Sequence, residues 1–163
     1  MGRRFAGRAN CKRSGLSMNR DVFDSTKEFA AKLFELIEFP LYEQSTRLVT
    51  SDVACSISLE HWGATLQLLK SALLPSAVTV HRAQFEALLR SIWILYAAND
   101  QQIDKLASEL NLETEQAAKN LPQVAEMLAV LEKNGPPQAF EALARFKDNS
   151  WKGLNSYPYT QLI

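Results

Sequence analysis

Cysteine and histidine are almost missing from this 163-residue chain, which has only Cys11, Cys55, His61 and His81. One cysteine lies in a basic leader and the other on an apolar helical stretch, so no disulfide framework is expected. Without CxxC, HxxxH or HExxH spacing there is no local metal-ligand set, and neither a metal nor another cofactor is expected. The six glycines form no phosphate-cradling loop. No ordered Ser, His and acid set marks a hydrolase, so no catalytic residue is assigned.

Long hydrophobic runs and a charge excess are missing as well. No apolar stretch reaches the roughly 20 residues of a membrane span. The most apolar window, Ala87 to Ala98, is interrupted by Arg90 and suits a buried helix better than a bilayer. Residues 1–17 lack the apolar core of an ordinary secretory signal, and a cytoplasmic protein with no membrane partner is the expectation. The 18 basic and 18 acidic residues cancel unevenly. Arg3, Arg4, Arg8, Lys12 and Arg13 fill the leader without an acid, leaving 13 basic against 18 acidic residues from Met18 onward. A body of net −5 repels phosphate backbones, so general nucleic-acid binding is not expected.

What is present is helical patterning. The leader, 1–17, reads either as a disordered basic arm or as a misassigned start with Met18 as the true initiator. The second is preferred, because Met18 stands just before the first helix-start signal. Residues 18–163 are expected to form a single domain. Asp24 or Ser25 can cap a helix that runs to Phe39, with Phe29, Leu33, Leu36 and Ile37 on one side and Pro40 as its stop. A second, long helix over 41–73 carries Leu48, Cys55, Leu59, Trp62, Leu66, Leu69 and Leu73 in steps of 7, 4, 3, 4, 3 and 4. That is a heptad seam, suited to lengthwise packing on another helix or on a second copy of the chain. Pro75 and a capping Ser76 then start a third helix, so residues 41–98 read as a tight antiparallel hairpin. Short helices follow over 100–110, 113–119, about 121–134 and 138–148. Period-2 alternation is absent, and the fold class is all-α: an antiparallel helical bundle around a long helical hairpin. The final stretch, SWKGLNSYPYTQLI, either folds back on the bundle or belongs to a truncated chain, the latter being preferred.

The third helix carries the most specific feature. Arg82, Glu86 and Arg90 stand at i, i+4 and i+8, within about 80° of one another on a helix apolar on nearly every other side. One carboxylate can bridge two guanidinium groups there. The expected role is an ion network, satisfied against Asp52, Glu60 or a helix end, that fixes the hairpin register. The alternative is an anion or nucleotide pocket in which one arginine is left free. His61 reads as a surface histidine and His81 as a local packing residue, while Trp62 and Trp93 read as core anchors.

The run LEHWGATLQLLKSALLPSAVTVHRAQFEALLRSIWILYAAND resembles uncharacterised bacterial all-helical families, in which a helix bearing EH precedes R-x-x-x-E-x-x-x-R-x-x-W. The matching positions are Glu60, His61, Arg82, Glu86, Arg90 and Trp93. The resemblance spans about residues 40 to 160 and extends distantly to the HEPN bundles, some of which are RNA-cleaving toxins or anti-phage proteins. It implies RNA as a partner only if a catalytic Arg/His pair is present. No arginine stands five to seven positions before His61 or His81, so this chain departs from the HEPN pattern at the catalytic pair. The expected function is a non-enzymatic interaction or small-ligand-binding module with the polar ladder as its site. The alternative is a fragment of a HEPN-like ribonuclease without that pair.

Overall fold

The computed structural model describes residues 15–107 and 121–160. Expectations for residues 1–14, 108–120 and 161–163, among them the helix over 113–119, lie outside that range. The chain separates into two compact units, Met1–Pro40 and Leu41–Ile163. All described regular structure is helical: α1 (Gly15–Ile37), α2 (Thr46–Lys70), α3 (Leu74–Tyr96), α4 (Asp100–Ala107), α5 (Val124–Asn134) and α6 (Pro137–Thr160). The all-α bundle expected from the sequence is what forms.

In the first unit, α1 begins about ten residues before the expected cap. No glycine or proline interrupts the chain between Gly15 and Pro40, so Asp24 and Ser25 sit inside the helix, where Asp24 pairs with Lys27 at 3.4 Å. Phe29, Leu36 and Ile37 are exposed and Leu33 is half-buried.

The second unit is organised by the hairpin of α2 and α3, whose mutual contact is the most extensive in the fold. α2 is shorter than expected at both ends. Ser45, in extended conformation, precedes its first turn and accepts the Val49 N–H at 3.0 Å. The turn that closes the hairpin is a Schellman motif: Leu73 N–H donates to Leu68 O at 2.9 Å and Ala72 N–H to Leu69 O at 3.1 Å. This geometry puts Ala72 at φ 58°, a left-handed conformation that costs an alanine about 1–2 kcal/mol. Ala72→Gly is expected to stabilise the protein by about 0.5–1 kcal/mol in chemical denaturation, net of the extra freedom glycine gains when unfolded. Leu73 also starts α3 by accepting the Ala77 N–H at 2.9 Å, with Pro75 in the first turn, so the cap lies three residues before Ser76.

The heptad seam is where sequence and structure differ most. The buried line of α2 runs through Leu48, Ser51, Ala54, Ser58 and Thr65. Of the seven expected seam residues only Leu48 is buried; Cys55, Leu59, Trp62 and Leu66 are half-buried, and Leu69 and Leu73 are exposed. Small side chains let the two backbones approach, and their hydroxyls are spent on carbonyls rather than left bare. Ser51 Oγ donates to Ser91 O at 2.9 Å, Ser58 Oγ to Gln84 O at 3.1 Å, and Thr65 Oγ1 to His61 O at 2.8 Å within its own helix. The larger residues flank this line instead of forming it.

α3 is the central helix. It packs on α2 along one side and on α5 and α6 along another, burying Phe85, Leu89, Trp93 and Ile94 with Met127, Leu128 and Leu131 of α5. α6 runs through the polar Asp148, Asn149 and Ser150, past the expected stop, because Trp151 and the buried Leu154 anchor its second half. Phe85 stacks on Phe146 at 4.5 Å and meets Trp151 at 5.4 Å, so this part of the C-terminal stretch folds back on the bundle.

Candidate functional site

Helical spacing puts Arg82, Glu86 and Arg90 on one stripe of α3, and packing puts that stripe at an edge of the core rather than inside it. Arg82 Nε donates to Glu86 Oε1 at 2.9 Å, with the two side chains 42% and 34% exposed. Such a pair is screened by water and contributes little to stability by itself. Arg82 also lies over the Trp151 ring, 5.4 Å from its centroid. Arg90 is half-buried and makes no ion pair or hydrogen bond among the described residues. The expected neutralising acids do not reach the ladder: Asp52 and Glu60 are exposed on α2 and form no ion pair among the described residues.

The three ladder residues form one wall of a cleft of about 340 Å³. Pro122, Gln123, Val124, Ala125 and Met127 form a second wall at the start of α5, and Trp151 and Asn155, one turn apart on α6, form a third. Gln123 begins α5, its own N–H donating to Glu126 Oε2 at 2.8 Å, the return half of a capping box. Helix geometry leaves the Val124 and Ala125 N–H groups without intrahelical acceptors, which adds partial positive charge to that wall. Asn155 Oδ1 is buried and meets no donor among the described residues. Among the described residues, the cleft therefore carries a cation without a counter-ion and, in another wall, an acceptor without a donor.

The other expected site residues lie elsewhere. Trp93 is 1% exposed and belongs to the core. Glu60 and the half-buried His61 sit on α2 and do not line the cleft. His81 Nδ1 lies 2.9 Å from Gln84 Oε1, and its ring meets Phe146 edge-on at 5.4 Å, the packing role expected of it. Cys55 is a poor nucleophile. Burial pushes its thiol pKa up, the Asp52 carboxylate adds to that, and a hydrogen bond with Ser91 only partly opposes them. No group of three or more metal-ligating side chains converges among the described residues. No described helix is long and apolar enough to cross a membrane.

A larger cleft of about 390 Å³ surrounds Arg47, but that guanidinium is occupied. It donates to Ile94 O at 2.7 Å and Ala98 O at 2.8 Å, and to Asp100 Oδ1 at 3.0 Å, joining the end of α3 to the start of α4. Glu43 and Asp104 supply further negative charge there. Arg47 ties α2 to the end of α3 and the start of α4, whereas Arg90 has no such partner among the described residues. The roles of Arg47 and Asn155 were not evident from sequence, since each depends on a helix distant along the chain.

No curated protein and no solved structure matches the chain. Residues 55–160, which include the hairpin turn, the Arg82, Glu86 and Arg90 ladder and all three walls of the cleft, match the model of a family of unknown function, DUF6988, and the chain belongs to that family.

Proposed function

We propose that the Leu41–Ile163 unit is a non-enzymatic small-ligand-binding module that takes an organic anion in the cleft between α3, α5 and α6. The observation that carries this reading is Arg90: a half-buried arginine, in a cleft wall, without a counter-ion among the described residues. A cation moved partly out of water is stabilised by a charge-assisted hydrogen-bonding partner, and a ligand carboxylate or phosphate supplies one. Arg82, held on Trp151 and paired through Nε, lines the same cleft, and the start of α5 adds two N–H donors to its wall. Catalysis has no comparable support, since neither histidine lines this cleft and burial pushes the Cys55 thiol pKa up.

The reading separates cleanly from a purely structural ladder. If Arg90 were part of a stabilising network, Arg90→Ala would lower the melting temperature. As an unpaired side chain its removal is expected to leave stability within about 0.5 kcal/mol of the parent. Ligand-induced stabilisation is expected to vanish instead. At ten times its Kd, a bound anion should raise Tm by about 4 °C in the parent. Thermal melts of the full chain and of Arg90→Ala, with acetate or inorganic phosphate at constant ionic strength, check this. Equal shifts in both proteins would refute the assignment.

A further inference from the structure

We infer that the ligand is an aliphatic monocarboxylate bearing a neutral O–H or N–H donor next to the carboxylate, the chemistry of an α-hydroxy acid or an N-acylated amino acid. This rests on the anion-binding reading and deepens it. The first argument is charge. The ladder presents two guanidinium groups and one carboxylate, and Glu86 is spent on Arg82. Among the described residues one positive charge is left to compensate, which a monoanion does and a phosphate dianion exceeds. A zwitterion leaves it uncancelled. Planar carboxylate geometry also matches a single guanidinium fork, which can bind it through two parallel hydrogen bonds.

The second argument is the rest of the lining. Pro122, Val124 and Met127 give the cleft an apolar shoulder that suits an aliphatic body. Trp151 offers no vacant stacking platform, because Arg82 lies over its ring and Phe85 packs at 5.4 Å. A nucleobase therefore has no aromatic face to bind. The third argument is Asn155. Its Oδ1 is a buried acceptor without a donor, although the residue is only half-buried and belongs to the cleft wall. As placed, Oδ1 is closed off, and it meets a ligand donor only after a half-turn of the amide about its last side-chain bond, when a donor adjacent to the ligand carboxylate would satisfy it.

Calorimetric titration of the full chain tests this with 2-hydroxy-4-methylpentanoate, N-acetyl-leucine, 4-methylpentanoate, leucine and inorganic phosphate. The hydroxy acid or the N-acyl amino acid is expected to bind about tenfold more tightly than 4-methylpentanoate, the value of one well-made hydrogen bond. Whichever of the two is tighter identifies the donor. Asn155→Ala should erase that advantage, so that within this variant the hydroxy acid and the N-acyl amino acid bind no more tightly than 4-methylpentanoate. Arg90→Gln should weaken all carboxylates at least tenfold. Phosphate or leucine binding more tightly than any of these carboxylates in the parent protein, a comparison that needs no variant, would overturn the ligand class. Persistence of the donor advantage in Asn155→Ala would do the same. If phosphate binds more tightly than every carboxylate and depends on Arg90, the cleft stands and the ligand class falls. If no probe depends on Arg90, both fall.

Discussion

Trp93→Ala is expected to lower the unfolding free energy by about 3–5 kcal/mol, the range for deleting a buried aromatic and leaving part of its volume empty. The side chain is 1% exposed, on the helix that α2, α5 and α6 share as a packing partner, so no single neighbour can move in to fill the space. Against a total stability of about 5–15 kcal/mol for a domain of this kind, that loss brings the variant close to unfolding at ambient temperature. Urea denaturation followed by far-ultraviolet circular dichroism measures it. A loss under 1 kcal/mol would mean that Trp93 is not the centre of the core.

The second large effect belongs to Arg47. Its guanidinium crosses from the first turn of α2 to the Ile94 carbonyl in the last turn of α3 and the Ala98 carbonyl just beyond it, and reaches Asp100 at the start of α4. Those carbonyls have no intrahelical donors, and the negative end of the α3 dipole lies beside them. Arg47→Ala removes the donors and leaves the acceptors in a partly closed site, at an expected cost of about 2–4 kcal/mol. The Asp100 arm contributes little, since that side chain is 93% exposed. Asp100→Ala should therefore cost under about 1 kcal/mol, and Arg47→Lys should recover less than half of the loss because an ammonium cannot span both carbonyls with a planar fork. Hydrogen exchange of the α4 amides should accelerate in Arg47→Ala more than that of the central turns of α3.

Much of this architecture was legible in the sequence, and the part that was not shares one cause. Apolar periodicity over residues 41–98 gave the hairpin because period alone distinguishes helix from strand. The same reading misplaced the contact line, since it ranks large apolar side chains above Ser51, Ala54 and Ser58, and close helix packing selects small ones. Asp148, Asn149 and Ser150 looked like a helix stop because local propensity favours one there. Trp151 and Leu154 override that preference by packing on Phe85 and its neighbours, and such a contact leaves no local trace. The ladder itself was visible from spacing. Its cleft was not, because two of the three walls come from Gln123 and Asn155, more than thirty positions away along the chain.

Chemical-shift mapping of the tryptophan indole and arginine Nε–H signals decides whether the cleft that Arg90 lines receives an anion. Titration with 4-methylpentanoate should move the Trp151 and Arg90 signals together, saturating at one Kd, while Trp62, which lines a separate apolar groove with Leu66 and Leu69, stays in place. The movement should be lost in Arg90→Gln. Saturable movement of Trp62 instead of Trp151, or an unchanged Trp151 response in Arg90→Gln, would contradict the account.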